Sequence, residues 1–333
     1  MQKHYNIPIF LPELACHNKC VFCNQQNISN THNIPDISDA QNIIDKHIST
    51  IPKSASIQIA FFGGNFTGLP LEQQRAFLTL AQSYIQKGAV EGIRISTRPD
   101  YISEHILHML KSYGVQDIEL GAQSYDNDVL AASQRGHTAE QIKMAAKQIT
   151  AHKFKLGLQM MIGLPGDTYE KSMNTARQII ACKAHTTRIY PCLVIAHTAL
   201  AHMYKNGTYT PLDIATATKW LADIYSLFTE HSINILRIGL HPSKDFESPD
   251  ILLAGPYHPS IKQLAITHMW KKRFMHKLPH QHGKLHIYVS PGDIPYAIGY
   301  KSSNKLWLQQ TYGWVSIQSD SKLQKNEFTY CYH

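Results

Sequence analysis

Short apolar runs rich in branched residues alternate along this chain with longer stretches in which apolar positions recur every three or four residues. Such alternation predicts repeated strand–helix units and a parallel sheet, the arrangement of α/β proteins. Six units and one further edge strand favour a partial (β/α)6 barrel of the TIM type. The predicted strands are residues 7–14, 57–62, 93–97, 117–122, 155–162, 187–195 and 233–239, and the predicted helices are residues 39–50, 71–86, 103–113, 139–152, 168–183 and 212–231.

The pattern changes after the last of these strands, which predicts a smaller α+β unit behind the barrel. Residues 262–277 have helical periodicity, residues 284–289 alternate like a strand, and shorter helical and strand-like stretches follow. We therefore divide the chain into a barrel domain of residues 1–240, a linker or substrate loop of residues 241–260, and a C-terminal domain of residues 261–333.

Three cysteines follow the first predicted strand at C-x3-C-x2-C spacing, in the motif Cys16-His17-Asn18-Lys19-Cys20-Val21-Phe22-Cys23. Thiolates placed so closely on one loop can bind three corners of a four-iron four-sulfur (4Fe-4S) cluster, which normally takes four protein ligands. Cys16, Cys20 and Cys23 are thus the predicted metal ligands, and one iron is left open for another molecule.

Other uses of these cysteines fit the sequence less well. A structural zinc site usually takes four Cys or His ligands in two pairs, and no second pair follows. A disulfide framework is not expected in a long chain with six cysteines and no apolar signal segment at its start, features that favour a reducing cytoplasm. Isolated cysteines are most often small core residues, so no second cluster is predicted from Cys182, Cys192 and Cys331.

The charge balance is positive. The 333 residues include 32 Lys and Arg, 24 Asp and Glu, and 20 His, with a formal charge of +8. A positive surface favours polyanionic partners such as nucleic acid, although many small-molecule enzymes are equally basic. No apolar run is long enough to span a bilayer, so a soluble protein without a membrane partner is expected.

In parallel barrels the chemistry lies at the carboxyl ends of the strands, where the loops that lead into the helices converge. Paired glycines after the second predicted strand let backbone approach a ligand closely, although such pairs also make ordinary turns. Further glycine and polar residues end the later strands, and an arginine there is able to pair with a carboxylate in bidentate fashion. The candidates at these positions are Gly63, Gly64, Asn65, Gln123, Ser124, Arg135, Gly163, Pro165 and Tyr190.

Taken in order, these motifs resemble those of the radical S-adenosylmethionine (SAM) superfamily. They are similar in particular to the subgroup that contains the catalytic subunit of Elongator, a complex that modifies the wobble uridine of tRNA. The resemblance covers roughly residues 5–240. Besides the cysteine motif it depends on Gly63-Gly64-Asn65-Phe66-Thr67, Glu119-Leu120-Gly121-Ala122-Gln123-Ser124, Arg135-Gly136-His137-Thr138, Gly163-Leu164-Pro165-Gly166 and Ile189-Tyr190-Pro191-Cys192-Leu193-Val194-Ile195.

The resemblance implies a 4Fe-4S cluster held by the three cysteines, SAM on the open iron, and an electron donor such as flavodoxin or ferredoxin. It places Gly64 and Asn65 at the SAM amine, where the superfamily usually has Glu instead of Asn. It places Gln123, Ser124 and Arg135 around the SAM ribose and carboxylate, and the loop of Gly163 and Pro165 at the adenine. The chain ends where the acetyltransferase domain of Elongator-like proteins begins, so addition of an acetyl-derived unit is not expected from this polypeptide alone.

The C-terminal unit resembles a KH domain of the bacterial type, similar to those of the NusA transcription factor. In KH domains a Gly-x-x-Gly loop between two helices clamps single-stranded nucleic acid through the backbone. Here Ser302 replaces the second glycine, and nearby lysines can offset part of that loss. The resemblance implies RNA binding by Gly299, Tyr300, Lys301, Ser302 and Lys305, while the alternative is a small lid that binds no ligand.

Tyr257 and His258 lie in a proline-stiffened stretch that is either a substrate loop or a linker. With Tyr190 they are the candidate catalytic side chains. The expected protein is a cytoplasmic radical SAM enzyme that modifies RNA, with tRNA as the expected substrate. One alternative is an enzyme on a tetrapyrrole, similar to oxygen-independent coproporphyrinogen oxidase, which shares the Gly-Leu-Pro-Gly loop. The other is a non-catalytic RNA-binding protein that keeps the cluster for structure or sensing.

Overall fold

A single large parallel sheet organises the first two thirds of the chain. The computed structural model describes residues 3–11, 20–24, 35–241, 246, 248–279 and 283–332. Its first eight strands are β1 (His4–Phe10), β2 (Ser56–Phe62), β3 (Gly92–Thr97), β4 (Val115–Gln123), β5 (Lys155–Ile162), β6 (Thr186–Pro191), β7 (Val194–Ile195) and β8 (Asn234–Ile238). All except β7 form one curled half-barrel sheet in chain order, and each neighbouring pair is parallel.

Helices connect these strands and cover the outside of the sheet. They are α1 (Ile37–Thr50), α2 (Leu71–Gln86), α3 (Glu104–Ser112), α4 (Asn127–Ala132), α5 (Ala139–Ala151), α6 (Tyr169–Ala181), α7 (Ala199–Lys205) and α8 (Ile214–Glu230). Local sequence fixes where several of them begin, because a side-chain oxygen accepts a backbone N–H of the first turn. Asp36 and Thr138, for example, each form a complete capping box.

The core lies between the sheet and these helices. Alternate strand residues such as Ile59, Ile93 and Ile95 are fully buried there. The Phe61 ring lies 5.7 Å from the Phe77 ring of α2, measured between centroids. Strands such as β2 and β3 are buried on both faces, which explains why the sequence shows them as short, nearly continuous apolar runs.

The C-terminal segment packs directly on the barrel. It contains β9 (Leu252–Ala254), α9 (Ile261–Lys277), β10 (Leu285–Val289), α10 (Ile294–Ile298), α11 (Ser303–Tyr312), β11 (Val315–Ser319) and β12 (Phe328–Tyr332). Helix α9 lies along α8, and one apolar cluster runs from the barrel into this segment. The side chains of Trp270 and Phe274 are fully buried, and the Phe328 ring covers both at centroid distances of 6.0 and 5.1 Å.

The fold class predicted from the sequence is confirmed: a partial parallel α/β barrel followed by an α+β segment. The sixth strand differs, because β6 ends at Pro191 and the following residues leave the sheet. Val194 and Ile195 pair instead with β9 in an antiparallel ribbon. The division at residues 240 and 260 and the likeness of the C-terminal segment to a KH domain stay predictions.

Helices long and apolar enough to cross a membrane are not found in the described ranges.

Candidate functional site

The second half of the cysteine motif is held at the carboxyl edge of the sheet, just after β1. Cys20 is buried and Cys23 is half-buried. The Val21 amide donates to the Ser133 carbonyl oxygen at 3.2 Å, and the Val21 carbonyl accepts the Leu200 amide at 2.8 Å. The predicted ligand Cys16 lies outside the described residues, so the three-cysteine site itself stays a prediction.

Arg135 reaches the cysteine loop from the connection between α4 and α5. Its Nη1 donates to the Cys20 Sγ at 3.0 Å, and its Nη2 donates to the Gly121 carbonyl oxygen at 2.6 Å. Its Nε is buried and has no hydrogen-bond partner among the described residues. The guanidinium therefore lies between a predicted cluster ligand and the end of β4, and one donor is left for a further group.

Behind Arg135 lies a second layer of charge. Arg98 forms a bidentate pair with Asp100, through Nε–Oδ1 at 3.0 Å and Nη2–Oδ2 at 2.8 Å, and also donates to the Arg135 carbonyl oxygen at 2.6 Å. His137 is buried beside them, and its Nε2 lies 3.3 Å from the Ala122 carbonyl oxygen. Burial, followed by the charges of Arg135 and Arg98, lowers the pKa of His137 to about 3. This imidazole is therefore neutral at physiological pH.

The loop after β2 is closed around the predicted SAM-binding residues. Gly63 has φ of +92°, and a Cβ there would lie 3.1 Å from the Leu11 carbonyl oxygen, so only glycine fits. Asn65 is buried, and its Oδ1 accepts the Thr97 hydroxyl at 2.6 Å and the Arg98 amide at 3.2 Å. This oxygen thus joins the ends of β2 and β3, while Gly64 beside it is half-buried.

The end of β4 is irregular, and it carries polar residues at the carboxyl edge of the sheet. The pairing of β4 with β5 shifts register between Gly121 and Gln123, and Gln123 has φ of +66°. The Gln123 side chain is buried, and its Oε1 has no hydrogen-bond partner within the described structure. Ser124 is used internally, because its Oγ accepts the Asp126 amide at 3.1 Å.

The loop after β5 is held from both sides. The Gly163 amide donates to the Asp167 carboxylate at 2.8 Å, and the Gly163 carbonyl accepts the Tyr209 hydroxyl at 2.6 Å. Burial raises the pKa of Asp167, although the Ser172 hydroxyl and backbone amides that donate to it oppose the shift. Pro165 is buried within this loop. These hydrogen bonds therefore fix the position of the loop at the carboxyl edge of the sheet.

The inner face of the half-barrel carries buried charges. Arg94 on β3 donates to Glu119 at 2.7 Å and to Asp117 at 2.8 Å, both on β4. Arg188 on β6 donates to the other oxygen of Glu119 at 2.7 Å. Gly157 on the intervening strand leaves room, since a Cβ there would lie 2.8 Å from the Glu119 Cγ. We call the four charged side chains the barrel ion network.

The three candidate catalytic side chains are not brought to one point by the described contacts. Tyr190 lies against the barrel ion network, where burial raises the pKa of its hydroxyl and Arg188 opposes the shift. Tyr257 packs on Phe246 with ring centroids 5.4 Å apart. The His258 ring instead meets the Tyr300 ring edge-to-face at 5.4 Å. The neighbouring residues 257 and 258 thus contact different partners: Tyr257 contacts Phe246, and His258 contacts the predicted RNA loop.

The predicted RNA loop lies between α10 and α11. Gly299 is buried with φ of +86°, while Lys301 and Ser302 are exposed and also have positive φ values. The Tyr300 amide donates to the Thr267 hydroxyl at 3.0 Å, which ties the loop to α9. Lys305 is half-buried in the first turn of α11. The loop thus presents one lysine and a strained backbone to solvent.

Sequence reasoning assigned no function to Arg98, Asp100, His137 or the barrel ion network. A signal for the network was present, because Arg94, Glu119 and Arg188 are charged residues inside strands of the predicted parallel sheet. A charge in a strand predicted to be buried requires a partner nearby. The partners are far away along the chain, so the pattern alone did not identify them.

Two family profiles match the chain: the radical SAM superfamily over residues 14–179 and the radical SAM C-terminal domain over residues 184–271. An uncharacterised protein of Methanocaldococcus jannaschii is 30% identical over 224 residues, which is 64% of this chain and 68% of that protein. The chain therefore belongs to the radical SAM superfamily. Members of this class of enzyme use a 4Fe-4S cluster and SAM.

More distant relatives carry names that refer to tRNA and to Elongator. The tRNA uridine(34) acetyltransferase of Methanocaldococcus jannaschii is 26% identical over 239 residues, 60% of this chain and 44% of that protein. Human Elongator complex protein 3 is 25% identical over 233 residues, 64% of this chain and 42% of that protein. The chain spans less than half the length of either. The structure of Methanocaldococcus infernus Elp3 has the same fold, with a TM-score of 0.66 at 21% identity over 82% of this chain and 64% of that one.

The buried neutral His137 predicts a pH dependence of stability. Its folded pKa of about 3 lies below the ordinary value of 6.5. Between these values the unfolded chain binds the extra proton, so stability falls as pH falls through this window. Between pH 7 and pH 5 the loss from this group is about 2 kcal/mol, at about 1.4 kcal/mol per pH unit.

Urea unfolding of the wild type and of His137→Gln at both pH values tests this expectation. The variant should be less stable at pH 7 but should lose about 2 kcal/mol less on acidification, because it carries no group to protonate. His105→Gln removes an exposed histidine and should keep the wild-type pH dependence. An equal acid loss in wild type and His137→Gln would show that folding does not lower the pKa of His137.

Proposed function

We propose that this chain is a radical SAM enzyme that modifies RNA, with tRNA as its substrate. The observation that supports the chemistry is the hydrogen bond from the Arg135 guanidinium to the Cys20 sulfur, at a sheet edge where some buried polar atoms have no partner among the described residues. The substrate is supported by the names of the relatives, by the positive charge of the chain, and by the contact between His258 and the predicted RNA loop.

The residues present fit the cofactors of the family. Buried polar atoms normally have partners, yet the Arg135 Nε and the Gln123 Oε1 have none among the described residues. Both lie beside Gly121, where a Cβ would approach their side chains to 3.3 and 3.1 Å. A donor and an acceptor left open beside the cysteine loop are what a polar ligand such as SAM requires.

In this proposal Cys16, Cys20 and Cys23 hold the cluster. Gly63, Gly64, Asn65, Gln123, Ser124, Arg135, Gly163 and Pro165 surround SAM. When bound, the two cofactors supply reductive cleavage of a sulfur–carbon bond and the radical chemistry that follows. The protein binds and orients them and excludes water from the buried edge.

The charges around Cys20 suit an anionic cluster. Arg135 and Arg98 bring two positive charges, Asp100 offsets one of them, and His137 is neutral. A net positive surrounding stabilises thiolates and the extra electron of a reduced cluster. Arg135 contacts the sulfur itself and is therefore a positioning and tuning residue in this proposal.

The cysteine assignment is tested by iron and sulfide content after anaerobic reconstitution. Cys20→Ala should lose the cluster, because it removes one of three ligands on a single loop. Cys182→Ser is the control, since its sulfur lies on the outer side and accepts or donates a 3.2 Å hydrogen bond with Tyr125 instead. It should keep both the cluster and the formation of 5′-deoxyadenosine with dithionite. A full cluster in Cys20→Ala would remove this cysteine from the site.

Arg135→Gln should make the cluster harder to reduce. A hydrogen bond to a charged group contributes about 1.5–3 kcal/mol, of which only part differs between oxidation states. Because 59 mV corresponds to a factor of ten for one electron, the reduction potential should fall by tens of millivolts. Arg135→Lys keeps the positive charge, so its reduction potential should fall less. Arg177→Gln, on the exposed surface of α6, should leave the reduction potential unchanged. Potentiometric titration followed by electron paramagnetic resonance measures all four proteins, and identical potentials in wild type and Arg135→Gln would contradict the tuning role.

RNA binding is tested with point variants, because removal of the C-terminal strands would uncover Trp270 and Phe274. Lys301→Asp with Lys305→Asp should weaken tRNA retention on a filter and reduce its salt slope by up to about 1.4, at about 0.7 per phosphate contact. Formation of 5′-deoxyadenosine without RNA should stay close to wild type.

The matched control is Lys46→Asp with Lys53→Asp, two exposed lysines near the amino ends of the strands. It makes the same change in net charge away from the proposed RNA surface. Equal loss of tRNA binding in both double variants would mean that only overall charge matters. Absence of tRNA binding by the wild type, with SAM cleavage intact, would favour a small-molecule substrate.

A further inference from the structure

A second cluster of metal-binding side chains lies on the outer helices, away from the cysteine motif. Glu104 and His108 are four residues apart on α3, so their side chains lie on one face of the helix. His152 follows the last residue of α5 and faces them. The three ligand atoms all lie within 4.8 Å of one another, and Glu104 and His108 are exposed to solvent.

The hydrogen bonding of His152 leaves a lone pair that points at a carboxylate. Its Nδ1 lies 2.9 Å from the Gln148 carbonyl oxygen, which only accepts, so Nδ1 carries a proton and donates. In the neutral ring Nε2 is then an acceptor. Yet Nε2 lies 3.0 Å from the Glu104 Oε2, which is also an acceptor. Two acceptors at this distance require a cation between them or a second proton on the ring.

The same arrangement is common in metal sites. A ligating histidine usually donates its other ring N–H to a backbone carbonyl, which fixes the tautomer and the orientation of the ring. The His108 ring meets the His152 ring edge-to-face, with centroids 5.1 Å apart and planes at 83°. Two imidazoles and one carboxylate are a known set of zinc ligands when water takes the fourth position.

We propose that Glu104, His108 and His152 bind a divalent transition-metal ion, of which Zn²⁺ is the best match to this donor set. The ion joins α3 to the end of α5, two neighbouring helices on the outside of the sheet. Its fourth position faces solvent. This site is independent of the proposed RNA chemistry and of the cysteine motif.

The test is isothermal titration calorimetry, in which Zn²⁺ is added under anaerobic conditions to the full chain loaded with its iron–sulfur cluster. The absorbance of the iron–sulfur cluster is followed throughout. Occupied cysteines do not compete for zinc, so the wild type should bind one ion. Glu104→Gln and His108→Gln should each weaken binding by at least about tenfold. His105→Gln is the matched control, because it removes an exposed histidine from the same helix but leaves Glu104, His108 and His152 unchanged.

A second readout is thermal unfolding with and without Zn²⁺. A ligand that binds only the folded state raises the melting temperature, so zinc should stabilise the wild type and His105→Gln but not His108→Gln. Absence of saturable binding by the wild type, or equal binding by His108→Gln, overturns the proposal. In that case the contact between His152 and Glu104 is an ion pair with a doubly protonated ring.

Discussion

The barrel ion network is the interaction on which the geometry of the sheet depends. Arg94, Asp117, Glu119 and Arg188 come from three strands. The first three are almost fully removed from water, and the Arg188 side chain is 16% exposed. Breaking one partner of such a network costs about 3–5 kcal/mol, because the remaining charges stay buried without compensation. Glu119 is the common acceptor of both arginines. The register of β3, β4 and β6, and with it the position of every loop at their carboxyl ends, is therefore fixed from inside.

The network also explains a residue that has no side chain. Gly157 lies on β5, between the strand that carries Glu119 and the strand that carries Arg188. Any larger residue there would collide with the Glu119 side chain and with the Thr186 hydroxyl at 2.8 Å. The ion pair between Glu119 and Arg188 crosses β5, and it therefore requires a residue without a side chain at position 157. A glycine inside a strand normally weakens the strand. The reason for Gly157 becomes clear only when β5 is considered together with both neighbouring strands.

The parallel barrel could be predicted from the sequence because its signal is local and repeats. The elements that prediction missed are short: α4 and α7 have six and seven residues, too few to show a helical period. The end of β6 was missed because Val194 and Ile195 continue the apolar run but pair with β9 instead. The site depends on contacts of another kind. Arg135 and Cys20 are 115 positions apart, and nothing in the spacing of either indicates that they touch. Described candidates such as Arg135, Gln123 and Asn65 lie at the strand ends where the sequence predicts them, and their roles stay predictions, while their partners became visible only in three dimensions.

The anchoring of Val21 has a consequence for how the protein is made. Its amide is bonded to residue 133 and its carbonyl to residue 200, so this part of the cysteine loop takes its shape from segments synthesised much later. On the ribosome, Cys20 and Cys23 emerge long before either anchor exists. The loop can reach its final geometry only when some two hundred residues have been translated and the second half of the sheet has formed. For the proposed cluster, delivery of iron and sulfide to this geometry is accordingly expected only after the segment that contains residue 200 has been synthesised and folded.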